Sequence, residues 1–327
     1  MRGEALRISQ AVPMSGKEMI LELLSQMQGG SRTALARLIS LIEREEEVLA
    51  YLPSDISHEP SYLLGVTGAP GAGKSTLTDR LIEFYRGCDE EIAVLAIDPT
   101  SPFSGGAILG DRVRMQSHAL DPKVFIRSMA TRGSLGGLSV AVPAAVRLLD
   151  SAGFDKVIVE TVGVGQVEVD IVSSADTTLV VVNPLWGDSI QANKAGLLEI
   201  ADVFVINKAD REGVRQTRKD LEGMLDLSEP KPWRPKIIET VALDNKGVDR
   251  VAEAVLEHKG YLWSSGELAL KRRRRAIEEF ERSTKRLLER YIMKHESFSV
   301  IKERVAHGDL EPAQAAKMIV DEVLGSS

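Results

Sequence analysis

The sequence predicts an α/β protein with a mostly parallel sheet and a helical region at each end. Between residues 62 and 262, short apolar runs rich in β-branched residues alternate with stretches typical of helices. Such alternation indicates strand–helix–strand units whose strands are buried on both faces, with sites at the carboxyl ends of the strands. In chain order, the runs are YLLGVTG, EIAVLAID, KVFIRSM, DKVIVET, TTLVVVN, DVFVINK and PKIIETV.

Apolar spacing predicts helices on both sides of this region. Residues 15–50 repeat leucine and isoleucine at steps of three and four, and GGSR at 29–32 interrupts the repeat, which predicts a helical hairpin. A long helix is predicted over RRRRAIEEFERSTKRLLERYI, followed by two shorter ones. Its apolar stripe consists of Ile277, Phe280, Leu287, Leu288 and Tyr291. The predicted domains are an N-terminal helical extension (1–58), the α/β domain (59–262) and a C-terminal helical arm (263–327).

Composition narrows the class of protein. Of 327 residues, 43% are hydrophobic and 27% are charged, as is usual for globular proteins. The net charge of −7 does not favour a nucleic-acid partner, and no apolar stretch approaches about 18 residues, so we expect no membrane span. Cys88 is the one cysteine, which excludes an internal disulfide and points to the cytoplasm.

A glycine-rich segment after the first run matches the phosphate-loop pattern G-x-x-x-x-G-K-[ST] without a gap. Its glycines let backbone N–H groups face an anion, and the next helix directs its positive end there. Lys74 supplies a cation for the outer phosphates, and the Ser75 hydroxyl can bind Mg²⁺. The predicted nucleotide-binding residues here are Gly68, Ala69, Pro70, Gly71, Ala72, Gly73, Lys74, Ser75 and Thr76.

A second motif, N-K-A-D at 207–210, predicts guanine as the base. The Asp210 carboxylate can accept from the ring N–H and the exocyclic amine of guanine, whereas adenine would leave it unpaired. The Lys208 stem can cover the base, and Asn207 completes the motif. GTP and GDP are therefore the predicted nucleotides.

A later loop is the third part of the predicted base site. GTPases usually have a Ser-Ala-Lys/Leu turn there, whose backbone contacts the guanine oxygen. This chain has Val241, Ala242 and Leu243, so valine replaces the serine. A backbone contact can survive that replacement, and we therefore include all three residues.

Carboxylates at strand ends are candidate Mg²⁺ ligands. They are Asp98, Asp111 and Glu160, of which Glu160 stands where aspartate is more usual. The longer glutamate side chain suits an ion approached through water. Gly163, three residues later, can offer its N–H to the γ-phosphate, which would make the following segment a nucleotide-sensitive switch.

Hydrolysis requires an oriented water molecule and a cation for the developing charge. Val164 occupies the position where a glutamine would position water, while Gln166 follows two residues later. Candidate cations are Arg112, Arg114 and Lys194. The predicted catalytic residues are Lys74, Glu160, Gln166 and Lys194, and we expect slow turnover without a partner.

Four segments together resemble the MeaB/ArgK family, P-loop GTPases of the SIMIBI class, over about residues 40–325. They are GVTGAPGAGKST, AIDPTSPFSGGAILGDRVRM, VIVETVGVGQ and WGDSIQANKAGLLEIADVFVINKAD. The resemblance implies a homodimeric chaperone that gates cofactor delivery to an adenosylcobalamin-dependent acyl-CoA mutase and protects it. It also implies that Ser75, Asp98, Asp111 and Glu160 surround Mg²⁺, that a switch contains Lys194, and that the C-terminal helices form the dimer.

Several alternatives stay open. The client could be methylmalonyl-CoA mutase, the commonest case, or a mutase for isobutyryl-, ethylmalonyl- or 2-hydroxyisobutyryl-CoA. A small-molecule or protein kinase is a second function, and a nickel metallochaperone a third. The metallochaperone would want His/Cys clusters, whereas the five histidines are scattered and expected at the surface. The basic run 271–275 could bind the phosphates of a nucleic acid or a membrane, although the acidic stretch EEFE that follows favours a solvated or dimer-facing helix end.

Overall fold

The computed structural model describes residues 16–44, 48–52, 59–98, 118, 120–130, 135–161, 174–184 and 198–325. The chain forms two compact units, residues 1–269 and 270–327. The first unit therefore includes both the N-terminal helices and the sheet. Among the described residues, no helix combines the length and apolarity needed to cross a membrane.

The first unit is built on one seven-stranded sheet in which every neighbouring pair is parallel, with the order β3-β2-β4-β1-β5-β6-β7. Each predicted run forms one strand, which confirms the predicted fold class. The strands are β1 (Tyr62–Gly68), β2 (Ile92–Asp98), β3 (Val124–Ala130), β4 (Lys156–Thr161), β5 (Thr177–Val182), β6 (Val203–Asn207) and β7 (Lys236–Thr240).

Helices cover both faces of the sheet. In the first unit they are α1 (Gly16–Gln28), α2 (Arg32–Glu43), α3 (Lys74–Gly87), α4 (Leu135–Ser151), α5 (Val214–Leu227) and α6 (Val248–Ser264). Successive strand residues point to opposite faces. Leu63 therefore packs in the core that contains α1, α2 and α4, whereas Leu64 packs in the core that contains α3 and α6.

The N-terminal hairpin packs on the sheet. Leu38 and Ile39 of α2 are fully buried in the same core as Leu95 of β2. Two arginines fix the hairpin further. Arg127 of β3 donates to Ser40 Oγ (2.9 Å) and forms an ion pair with a glutamate at the end of α2, while the Arg32 guanidinium lies 4.2 Å from the centre of the Phe154 ring. This hairpin is therefore part of the first unit's core.

The predicted C-terminal helices are present. They are α7 (Glu267–Lys294), α8 (Glu296–Ala306) and α9 (Pro312–Gly325). The core of the second unit is small, because only Ile301, Ala315 and Ile319 form its buried cluster among the described residues. Along α7, Phe280 is 69% exposed and Tyr291 is 74% exposed. This helix thus presents large apolar side chains to solvent.

Candidate functional site

The phosphate loop lies between the end of β1 and the start of α3, at the carboxyl edge of the sheet. Lys74 is buried, and its Nζ donates to the carbonyl oxygens of Gly68 (2.7 Å) and Ala69 (3.0 Å). These bonds hold the ammonium group over the loop, where the N-terminus of α3 also favours an anion. The arrangement is suited to binding phosphate.

The loop packs directly on the predicted base-binding motif. Gly73 precedes α3 with a φ of 93°, and a Cβ there would lie 2.3 Å from Asn207 Nδ2. Glycine is required at this position because of both its left-handed backbone and this close approach. Asn207 itself donates from Nδ2 to the Ala72 carbonyl oxygen at 2.9 Å. Ala72 and Asn207, which are 135 positions apart in the chain, thus share one site.

Asn207 also holds the third loop. Its Oδ1 accepts hydrogen bonds from Thr240 Oγ1 and from the backbone N–H of Ala242, each at 3.1 Å. The amide is almost fully buried and uses both of its ends. Asn207 therefore fixes the phosphate loop and the loop after β7 relative to each other.

The loop after β7 is a tight turn. Val241 and Lys246 pair through backbone hydrogen bonds of 3.0 and 3.2 Å, and Asn245 adopts a left-handed conformation with a φ of 55°. Within it, Ala242 is buried while the Leu243 side chain is 76% exposed. The pairing involves the backbone of Val241, which explains why valine can occupy this position.

Lys208 has the geometry expected of a residue that spans the site. Its φ of 60° is unusual for a residue with a side chain, and its Nζ donates to the Gly71 carbonyl oxygen at 2.6 Å. The lysine stem therefore extends from the base motif to the phosphate loop. Asp210, two residues later, is exposed to solvent, where a base could reach its carboxylate.

Two of the predicted metal ligands meet. Ser75, in the first turn of α3, donates from Oγ to Glu160 Oε1 at the end of β4, at 2.6 Å. Glu160 is almost fully buried. A hydroxyl and a carboxylate are hard oxygen ligands of the kind Mg²⁺ prefers, so this pair fits the ion. Asp98 is the last residue of β2, and β2 pairs directly with β4, so the carboxyl ends of the two strands are adjacent.

Other predicted residues fall outside the part of the chain that the structure describes. They are Asp111, Gly163, Gln166 and Lys194, together with the side chain of Asp98. Pro70 lies in the described part of the phosphate loop, and Thr76 lies in the first turn of α3. Thr240 was missed by sequence reasoning, although its position directly before the Val-Ala-Leu turn was an available signal.

Comparisons with known proteins found a matching family and several relatives. The sequence profile of the family described as Methylmalonyl Co-A mutase-associated GTPase MeaB matches residues 35–296. A protein of Pyrococcus abyssi with a provisional GTPase name is 49% identical over 94% of this chain and 98% of its own. GTPase ArgK of Escherichia coli is 33% identical over 87% of this chain and 89% of its own.

Two further relatives extend the likeness. The methylmalonic aciduria type A homolog, mitochondrial, of Caenorhabditis elegans is 30% identical over 94% of this chain and 83% of its own. A crystal structure named LAO/AO transport system kinase superposes with a TM-score of 0.68 at 26% identity, covering 95% of this chain and 100% of that one.

Proposed function

Because the chain belongs to the family of methylmalonyl-CoA mutase-associated GTPases, we propose that it is a GTP-driven chaperone of an adenosylcobalamin-dependent acyl-CoA mutase. In this proposal it gates the loading of cofactor into the mutase and protects or reactivates the enzyme. The observation that carries the proposal is the family match over residues 35–296. Methylmalonyl-CoA mutase is the proposed client.

The site supports a mechanism in which nucleotide binding changes the conformation of the protein. The phosphate loop and the loop after β7 both contact the base motif, through Asn207 or its neighbour Lys208. A bound nucleotide would therefore touch elements that are already coupled by hydrogen bonds. Such coupling favours conformational signalling, and slow hydrolysis by the isolated chain is part of the proposal.

The chain's own residues define the proposed chemistry of GTP hydrolysis. Lys74 would neutralise the charge that develops on the outer phosphates, held by the carbonyl oxygens of Gly68 and Ala69. Ser75 and Glu160 would hold Mg²⁺, with Asp98 and Asp111 completing the set. When bound, the ion would supply charge stabilisation to the phosphates. Asp210 would select guanine.

The C-terminal unit supports the proposed homodimer. Helix α7 exposes Ile277, Phe280, Leu287, Leu288 and Tyr291 by between 48% and 74%. Exposed apolar side chains that recur along one long helix are typical of a surface that another chain covers. The small core of this unit gives the same helix little other apolar surface to pack against. A second copy of the chain is the proposed occupant.

A reconstitution with purified proteins tests the chaperone function. The chain is mixed with apo-methylmalonyl-CoA mutase, with GDP, GTP or a non-hydrolysable GTP analogue, and binding, GTP hydrolysis and transfer of adenosylcobalamin are measured. We expect nucleotide-dependent binding and faster hydrolysis in the presence of the mutase. The Lys74→Ala variant is the control, because it lacks the phosphate-binding cation and should lose the nucleotide dependence.

Two outcomes count against the proposal. One is no binding and no change in rate with methylmalonyl-, isobutyryl-, ethylmalonyl- or 2-hydroxyisobutyryl-CoA mutase in any nucleotide state. The other is transfer of the γ-phosphate to a protein or small molecule in place of water. The second would support the kinase alternative, which has in its favour the name of the LAO/AO transport system kinase structure. Radiolabelled γ-phosphate distinguishes transfer from hydrolysis.

A further inference from the structure

A buried cluster of polar side chains lies at the end of the sheet opposite the nucleotide site. Tyr62 and Thr177 are the first residues of β1 and β5, and Asp202 stands immediately before β6. His258 lies on α6. Since each strand residue adds about 3.3 Å, Tyr62 is about 20 Å from Gly68 at the phosphate loop. The proposed function assigns no role to this cluster.

His258 is at the centre of the cluster and is only 1% exposed. Its Nδ1 lies 2.7 Å from Thr177 Oγ1, and its Nε2 lies 3.3 Å from Asp202 Oδ1. Thr177 Oγ1 is in turn 2.5 Å from the hydroxyl of Tyr62. The four side chains therefore form one continuous line of polar contacts from β1 to β6.

We propose that these four side chains form a directional line of hydrogen bonds that requires a neutral histidine. These hydrogen bonds attach α6 to the sheet, and the attachment weakens in acid. A neutral ring with its hydrogen on Nε2 sets this direction. Tyr62 donates to Thr177, Thr177 donates to His258 Nδ1, and Nε2–H donates to the Asp202 carboxylate. In this order each hydrogen has one acceptor.

Burial favours a neutral imidazole, because the His258 ring is only 1% exposed and a buried positive charge loses its hydration. The Asp202 carboxylate, whose Oδ1 lies 3.3 Å from Nε2, acts in the opposite direction. Asp202 also has another donor, because its Oδ2 accepts from the backbone N–H of Thr178 at 2.8 Å. The carboxylate is thus stabilised without a positive charge on His258.

Protonation of His258 would reverse the direction of these hydrogen bonds. An imidazolium donates from both nitrogens, so Nδ1 could no longer accept from Thr177. Thr177 would have to donate to Tyr62, and Tyr62 would have to direct its hydrogen elsewhere. A buried reversal of this kind weakens the attachment of α6.

The surroundings of His258 include charged and titratable groups from several elements. The Lys156 and Lys259 ammonium groups lie 5.7 and 5.3 Å from the centre of the Tyr62 ring. The rings of Trp233 and Tyr261 lie 4.7 and 6.1 Å from the imidazole. Trp233 also donates from Nε1 to the Asp202 carbonyl oxygen at 2.9 Å. Both cations lie on the Tyr62 side of the cluster, at the opposite end of the hydrogen-bonded line from Asp202.

Nuclear magnetic resonance of the full chain with isotope-labelled histidine tests the protonation state directly. At pH 7.5 we expect the His258 ring to be neutral with its hydrogen on Nε2. The signal is assigned by its loss in a His258→Gln variant, or by its proximity to Trp233 if that variant does not fold. An imidazolium, or a neutral ring with hydrogen on Nδ1, would overturn the proposal.

Denaturant unfolding as a function of pH tests the acid sensitivity. An unfolded histidine takes up a proton below about pH 6.5, while the folded neutral ring does not. The folding equilibrium constant of the wild type should therefore fall by up to about tenfold per pH unit, relative to His258→Gln. His307→Gln is the matched control, because His307 is exposed on the second unit, and it should follow the wild type. Superimposable pH profiles for wild type and His258→Gln would contradict the proposal.

Discussion

Ser75 Oγ donates a 2.6 Å hydrogen bond to Glu160 Oε1, which joins the first turn of α3 to the carboxyl end of β4. The two residues are 85 positions apart in the chain. Only the parallel pairing of β1 with β4 brings them together, because it aligns Val66 with Glu160 just before the phosphate loop. The candidate metal site therefore depends on the order of strands in the sheet.

Replacing Glu160 with glutamine should slow hydrolysis more than it weakens nucleotide binding. The variant keeps the shape of the side chain but loses the charge that would hold Mg²⁺. We expect a single-turnover rate about 100-fold lower, with a higher Mg²⁺ concentration needed for half-maximal rate. Glu83→Gln on the exposed side of α3 is the control. An unchanged rate and Mg²⁺ dependence for Glu160→Gln would remove this residue from the site.

Gly73→Ala should abolish nucleotide binding and destabilise the fold. The new Cβ would lie 2.3 Å from Asn207 Nδ2, and the φ of 93° is itself unfavourable for alanine by about 1–2 kcal/mol. Gly153→Ala isolates the second effect, because Gly153 has a φ of 85° and open space around it. We expect Gly153→Ala to bind GTP normally. Equal losses of stability in the two variants, measured by urea unfolding, would show that the contact with Asn207 does not matter.

Asp210→Asn should change the preferred base. The carboxylate accepts from the N–H and amine of guanine, whereas an amide can donate to the carbonyl that replaces the amine in xanthine. GTP affinity should fall about 10- to 100-fold, and affinity for xanthosine triphosphate should rise. Glu212→Gln, an exposed neighbour, should retain the wild-type preference. Competition titrations with a fluorescent guanine nucleotide measure both, and an unaltered base preference would exclude Asp210 from the base site.

Phe280→Glu should disrupt the proposed dimer. Burying a phenylalanine contributes about 1.5–3 kcal/mol, and a two-fold interface contains the residue twice. We expect the variant to sediment as a monomer at concentrations where the wild type is a dimer. Lys285→Glu changes the charge at an exposed position of the same helix and should leave the dimer intact. A wild type that is monomeric at tens of micromolar would refute this arrangement.

The buried Lys156 should make the free energy of unfolding increase with pH. Burial lowers the pKa of Lys156 below that of free lysine, although Glu90 at 2.7 Å acts in the opposite direction. As the pH rises toward about 10.4, the unfolded chain keeps its proton longer than the folded chain, so the free energy of unfolding should rise. Lys156→Met should remove that rise, whereas Lys123→Met at a more exposed site should keep it. Urea unfolding between pH 7.5 and 10 measures the slopes, and identical slopes for Lys156→Met and wild type would contradict the prediction.

One feature expected from the sequence was wrong. The histidines were expected at the surface, yet His258 is buried on α6. Val255 and Leu262 lie three positions before and four positions after it, so it falls on the apolar stripe of the helix. That spacing was readable in advance, but the partners Thr177 and Asp202 were not.

The sequence by itself determined the strands, the two nucleotide motifs and the helices at both ends, because each depends on local spacing. Alternation of apolar runs and the fixed geometry of glycine, lysine and serine around phosphate require no knowledge of distant residues. Tertiary structure alone decided that Asn207 joins the phosphate loop to the loop after β7, that Ser75 meets Glu160 and that the hairpin packs against β2 and β3. These contacts join residues far apart in the chain, and the order of parallel strands, which no local pattern specifies, sets which of them meet.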